Sequence, residues 1–276
     1  HVGLYQQDDY NVGDVLQNID IPWRHTNTNW GFDAHEIDMN SGGAKIVDII
    51  KARRTDGMLS FVELLDEAGW NKPTDSTDKL EPFGIPYWIV KNASEGFNGG
   101  NPTGFSAGAG GVSSSTYTTW ANYTNQYVST TKTDLITKMR KARRLTSFKS
   151  PVGVKDFREG NGDQNRIYVN GDTQEELENL GEAQNENLGR DLDSMDGMMT
   201  FGGNPIIYVP QLDSDSSDPV YGLNFRTMEP VFLNNWFMKE SKPRQSPNSH
   251  NTIVVDVDTT WNFLCKDRRR NFVISK

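Results

Sequence analysis

Residues 18 to 39 read NIDIPWRHTNTNWGFDAHEIDM. Two runs look extended, 18–24 and 30–39, and the polar HTNTN between them reads as a turn. Trp30, Phe32 and Ala34 alternate with Gly31, Asp33 and His35, after which Ile37 and Met39 continue on the other parity, the mark of a bulge. The expectation is a long bulged hairpin. A two-stranded ribbon is marginal alone in water, and this one carries Trp23, Trp30 and Phe32 with no third strand nearby in sequence. It needs a surface to lie on, its own domain or another molecule.

Outward from the ribbon, residues 44–69 place Ile46, Ile49 and Ile50, then Met58, Phe61, Val62 and Leu65, at three- and four-residue steps, the pattern of one apolar helix face. Unbroken, this helix would run about 39 Å, and Gly57 marks the expected bend or break. Residues 71–117 are rich in Pro, Gly and Ser and read as loop; GFSAGAGG at 104–111 is expected to be flexible, whereas PFGIPYWIV at 82–90 is too aromatic to be free. A second amphipathic helix spans 133–146, with Leu135, Ile136, Met139, Ala142 and Leu145 on one side and a Thr cap. RIYV at 166–169 and a Glu-rich helix over 172–188 follow, and from residue 198 the chain is largely strands. Helices and strands mix without regular alternation, which reads as α+β.

The chain has 276 residues and a net charge of -9, from 37 acidic against 28 basic. That balance disfavours general affinity for nucleic-acid backbones, so the basic helix over 138–144 is read first as a solvent face. Cys265 is the one cysteine and cannot form an intrachain disulfide. No apolar run approaches the ~18 residues of a membrane span, and HVGLYQQDDY lacks the regions of a secretion signal.

Catalytic signatures are missing. GFSAGAGG lacks the Lys-Ser/Thr of a phosphate loop, and His1, His25, His35 and His250 have no zinc-ligand spacing. DSDSSD at 213–218 lacks the Gly and distal Glu of a calcium loop and reads as a solvated turn. The expectation is a non-enzyme with no cofactor and no metal.

The chain closes on TWNFLCKDRRRNFVIS, residues 260–275, where two apolar runs flank Lys266, Asp267, Arg268, Arg269 and Arg270. Together with IPWRHTNTNWGF, FVELLDEAGW, PFGIPYWIVKNASEGFNGG, TYTTWANYTNQY, LGEAQNENLGRDL, NPIIYVPQLD and PVFLNNWFMKE, in that order, it resembles the major capsid protein of tailed bacteriophages, the Hong Kong 97 fold. The resemblance covers most of the chain; each motif is weak alone, and their shared order is what is specific.

The resemblance implies an α+β capsid fold: an N-terminal arm over 1–13, an extended hairpin (E-loop) over 14–41, a peripheral domain over 42–117 with a long spine helix, an axial domain over 118–235, and a return to the peripheral domain over 236–276. It implies self-assembly in hexamers and pentamers into an icosahedral shell around double-stranded DNA, virion localisation after assembly in the host cytoplasm, and portal, scaffold or decoration proteins as partners. Subunit contacts are expected at Trp23, Arg24, Trp30, Phe32, Arg53, Arg54, Arg268, Arg269 and Arg270, with Asp33, Glu36 and Asp38 of a neighbour's hairpin as acceptors. Some relatives weld subunits through a Lys-Asn isopeptide bond from the hairpin, but residues 14–41 hold no Lys. Many lose an N-terminal segment to a protease, with which a start at His1 is compatible. The rival readings are an encapsulin-like compartment and, from another class, a secreted carbohydrate-binding module or hydrolase.

Overall fold

The computed structural model describes residues 17–39, 48–146, 165–185, 192–195, 198–202, 204–247 and 249–276. Its first element, β1 (Arg24–Asp33), is one unbroken strand. It is followed by a short helix α1 (Ala34–Met39), the helix α2 (Ile49–Trp70), a single turn α3 (Ile85–Trp88) and strands β2 (Gly96–Gly99) and β3 (Asn122–Gln126). Next come α4 (Thr137–Thr146), entered through a wider turn over Lys132–Ile136, then β4 (Asn165–Val169), α5 (Gly171–Asn185), β5 (Leu192–Met195), β6 (Met198–Phe201) and β7 (Asn204–Tyr208). The chain ends with β8 (Val220–Asn224), β9 (Met228–Phe232), β10 (Lys239–Glu240), β11 (Arg244–Gln245), β12 (Thr252–Cys265) and β13 (Phe272–Ser275).

The hairpin reading of residues 18–39 is corrected. HTNTN is not a turn; it lies inside β1, which pairs antiparallel with β12 from Arg24↔Trp261 to Asp33↔Thr252. The partner strand comes from the far end of the chain. β12 spans about 46 Å at ~3.3 Å per residue and is the axis of a five-stranded sheet, with β1 along one edge and β9, β10 and β11 returning piecewise along the other.

Residues directly opposite each other share a face of a sheet, so the register sorts the ribbon. Arg24, Thr26, Thr28, Trp30 and Phe32 lie with Trp261, Thr259, Val257, Val255 and Ile253, and this face is buried or half-buried. His25, Asn27 and Asn29 lie with Thr260, Asp258 and Asp256 on the other and are exposed. The apolar face meets α2. A Cβ built on Gly57 would fall 2.8 Å from Trp30 Cβ, and one on Gly69 would fall 3.3 Å from the Phe263 ring.

Gly57 is therefore where the helix touches the ribbon, and α2 runs through it unbroken for 22 residues, about 33 Å. Asp48 caps its start by accepting from Lys51 N at 3.2 Å. The expected single buried face is also corrected: of the apolar residues named for it, Phe61 is buried in α2, whereas Val62 is exposed. Ile46 lies outside the described residues.

The larger sheet has eight strands in the order β2-β3-β13-β8-β4-β7-β6-β5 among the described residues. β13 runs parallel to β3 and antiparallel to β8, near its centre. Phe272 and Ile274 point into a cluster with Leu135, Ile136, Met139 and Ala142 of the α4 region, while Val273 points to the other side, among Phe83, Ile85, Tyr87 and Trp88. Burial on both faces is why VYGLN and FVIS read as continuous rather than alternating runs. The PFGIPYW segment forms that second layer through ring contacts, with Phe83 stacked on Tyr87 at 4.1 Å and Phe105 edge-on to Tyr87 at 4.9 Å.

GFSAGAGG is not the flexible loop expected. Ala109 is buried, Gly110 N donates to Tyr87 Oη at 2.9 Å, and Trp120 Nε1 donates to Ala109 O at 3.1 Å. Gly108 and Gly110 take positive φ angles of 90° and 63°, which a side chain would oppose.

The α4 region matches its expectation closely. Thr131 Oγ1 accepts from Asp134 N at 3.3 Å, and Leu135, Ile136, Met139 and Ala142 are buried. Leu145 departs from it and is exposed.

Candidate assembly interface

The arginine knot of residues 268–270 forms a single 3-10 turn between β12 and β13. Asp267 sets it by accepting from Arg269 N at 3.0 Å. The turn sends the three side chains apart. Arg268 goes inward and is 0% exposed, so the expectation of a subunit contact there is corrected. Its Nε donates to Trp88 O at 2.6 Å, Nη1 to Trp120 O at 2.9 Å, and Nη2 to Gly100 O at 2.8 Å, Gly99 O at 3.2 Å and Asn122 Oδ1 at 3.3 Å. Every one of these acceptors is neutral. A planar fork with five N–H donors suits such a ring of carbonyls. Burial pulls the Arg268 guanidinium down to about 10, still charged at neutral pH.

The same burial pushes the Cys265 thiol up to about 12, so Cys265 is an inert packing group. Asn122 completes the junction: its Oδ1 accepts from Val90 N and its Nδ2 donates to Val90 O, both at 3.0 Å. A Cβ on Gly99 would fall 2.0 Å from Asn122 Oδ1, so only glycine fits there.

Arg24 and Phe32 are also mostly internal. Arg24 donates to the backbone carbonyls of Lys79 and Asp78, the latter at 2.9 Å, and lies over the Phe83 ring at 5.6 Å. Phe32 is buried and Trp30 half-buried. Arg53 donates to Gly31 O at 3.2 Å and to Glu36 Oε1 at 2.7 Å, and Arg54 Nε to Glu240 Oε1 at 2.8 Å. These bonds tie α2 to β1, α1 and β10, and Glu36, expected to receive an arginine from a neighbour, is taken by one in its own chain.

Trp23, Arg54 and Arg269 remain at the surface, and Arg270 is partly so. Trp23 is 51% exposed. Arg269 lies over the Phe97 ring at 3.9 Å, and Arg270 Nε stands 3.5 Å from Asp267 Oδ2.

Sequence reasoning missed two apolar patches. Along α2, Leu59 and Val62 are 60% and 50% exposed, three residues apart and so on one side of the helix. On the ribbon's outer edge, Phe232 and Phe237 sit 4.5 Å apart and are both exposed, beside Trp236, over which Lys239 Nζ lies at 4.1 Å. The available signal was FLNNWF at 232–237, where Asn235 takes a φ of 65° and turns the chain out of β9.

The three carboxylates of DSDSSD are divided among separate partners. Asp213 accepts from Gly171 N at 2.9 Å and Tyr208 Oη at 2.5 Å, Asp215 pairs with Lys91, and Asp218 accepts from Asn170 Nδ2 and Lys276 Nζ, both at 2.7 Å. They fasten β4 and the C-terminus to the loop. No group of His, Cys, Asp and Glu suited to a metal ion occurs among the described residues, and no described helix is long and apolar enough to cross a membrane.

The chain thus sets a sheet-anchored ribbon on a long, largely exposed helix, beside a larger mixed sheet. The chain matches the capsid asymmetric unit of cyanophage A-1(L) with a TM-score of 0.62 at 12% identity, over 98% of this chain and 84% of that one. It matches the capsid of Myoviridae phage XM1 with a TM-score of 0.52 at 10% identity, over 98% and 81%. The holo-SrpI encapsulin complex of Synechococcus elongatus PCC 7942 matches with a TM-score of 0.50 at 10% identity, over 92% and 73%. No family model and no curated protein matches the sequence. At these identities the likeness establishes the fold: α+β, of the Hong Kong 97 capsid type.

Proposed function

We propose that this chain is the major capsid protein of a tailed phage, which self-assembles into an icosahedral shell enclosing double-stranded DNA. The observation that carries the reading is the likeness to the cyanophage capsid over 98% of the chain. The exposed apolar side chains of α2 and the ribbon edge fit the same reading, because large apolar surface on a lone subunit marks interaction sites.

In this reading residues 14–41 act as the extended arm, 42–117 and 236–276 as the peripheral domain, and 118–235 as the axial domain. α2 is the spine helix. Trp23, Arg54, Arg269 and Arg270 meet neighbouring subunits, and Arg268, Arg24 and Phe32 support that surface from within. Many modest interfaces add up in a closed shell. The subunit does no chemistry; portal, scaffold or decoration proteins join it in the virion, and assembly takes place in the host cytoplasm.

Negative-stain microscopy of the expressed chain tests this, with closed particles of uniform diameter expected. A chain that stays monomeric at every concentration and ionic strength would overturn it. Retention of a peptide-tagged enzyme cargo inside the particles would move the reading to an encapsulin-type compartment.

A further inference from the structure

α2 carries its charge against its own dipole. Lys51, Arg53 and Arg54 stand near its start and Glu63, Asp66 and Glu67 near its end, with no acid in the first turn and no base in the last. The helix dipole favours the opposite arrangement, and Glu63 and Glu67, four residues apart, repel each other. Arg53 and Arg54 are paired with Glu36 and Glu240, and Asp66 accepts from Gln211 Nε2 at 3.0 Å. Glu63 and Glu67 are exposed and form no ion pair among the described residues. Leu59 and Val62 lie on the same side of the helix as Glu63 and Asp66, at three- and four-residue steps. The outer face of α2 is thus an exposed apolar pair that runs into an acidic end.

The converse surface lies on α4. Lys141, Arg144 and Leu145 are exposed at positions i, i+3 and i+4, one side of that helix, and Leu145 is 41% exposed. Lys138 pairs with Asp134, Lys141 pairs with Glu95, and Arg143 donates to Gly202 O, while Arg144 forms no ion pair among the described residues. With Arg143 and Arg144 in its last turn, α4 ends on positive charge where α2 ends on negative. On both helices an exposed apolar side chain stands directly beside those charges.

We propose that the Leu59–Val62 face of α2 docks on the Arg144–Leu145 end of α4 in a second copy of this chain. Leu145 covers Leu59 and Val62, and Arg144 meets Glu63 and Glu67, where partial exclusion of water strengthens its bonds to carboxylate. A two-fold contact of α2 with α2 is the poorer match, because on that side the helix presents Asp56, Glu63 and Asp66 against Lys51 alone. The contact is heterologous: each copy offers both surfaces, so copies join head to tail and close into a ring where the rotation allows. The inference rests on the capsid reading and adds which two surfaces meet.

The test uses two full-length variants, V62C and L145C, purified separately, mixed under assembly conditions and treated with a short bis-maleimide linker. Native Cys265 is buried and gives no background. A linked dimer is expected in the mixture and in neither variant alone. A dimer from V62C alone would overturn the proposal in favour of α2 against α2. Closed particles from the mixture without a linked dimer would overturn it and leave the capsid reading standing, whereas a parent chain that forms no particles overturns both. Charge reversal reads the same contact independently. E63K/E67K and R144E should each raise the concentration needed for assembly roughly tenfold or more, and the three substitutions combined in one chain should bring it back towards the parent value, because each reversed surface then finds its opposite. A combined variant no better than the worse of the two counts against the proposal, and the linker experiment decides the matter even if a charge variant fails to fold.

Discussion

Arg268 Nε donates to the backbone carbonyl of Trp88 at 2.6 Å across 180 residues of chain. This bond and its four companions hold the segments around residues 88, 99–100 and 120–122 to the β12–β13 turn. Removing the side chain strands several buried carbonyls, each costing about 1–3 kcal/mol. R268M should therefore lose at least about 3 kcal/mol in urea unfolding, and R268K should recover little, because one ammonium cannot reach the same ring of acceptors. R269Q is the control and should change stability by less than about 0.5 kcal/mol.

At Gly57 two effects oppose each other. Alanine is the better helix former by about 1 kcal/mol, but its Cβ would fall 2.8 Å from Trp30 Cβ. Neither atom is the far end of a flexible chain, so the clash prevails. G57A should lower the melting temperature, and the double variant with W30A should regain part of the helix-propensity gain.

Asp134 supplies a pH dependence. Burial alone would raise its carboxyl, yet the hydrogen bond from Lys138 Nζ and those from Val128 N and Ser129 N outweigh it and hold the group at about 2. A carboxyl lowered by folding stabilises the fold above its unfolded value, and that contribution fades as pH falls through the folded one. D134N should therefore destabilise the chain at neutral pH, and parent and variant should converge as pH drops from the usual carboxylate range towards about 2. Guanidinium titrations across that window measure it.

For assembly, reversing all three arginines of the closing turn would confound two effects, since Arg268 is internal. R269E/R270E separates them. The double variant should remain folded and soluble by circular dichroism yet fail to close into particles by microscopy. L59S/V62S on the exposed side of α2 should act alike, with little cost to the monomer, because both side chains are more than half or half exposed. Normal shells from both variants would remove these surfaces from the interface.

The sequence made the buried half of this protein legible more readily than its edges. The α4 face could be read because helix period and burial coincide there, with Met139 and Ala142 inside. PFGIPYWIV was legible as packed because its aromatic content leaves no other stable place for it. β1 was misread because Thr26 and Thr28 continue the inward parity of Arg24, Trp30 and Phe32, and two threonines among asparagines look like turn residues. Its partner strand lies some 220 residues away, beyond any local pattern. Arg268, Arg269 and Arg270 are identical in type and adjacent, and only their successive positions around one 3-10 turn decide which is internal.

β12 leaves the ribbon at Cys265, passes through the Arg268 turn and re-enters as β13 near the centre of the larger sheet. The ribbon and that sheet are thus consecutive lengths of one backbone, riveted where they join. Any tilt of β12 against the larger sheet has to be taken up within the few residues between Cys265 and Phe272, where Arg268 is tied by five hydrogen bonds.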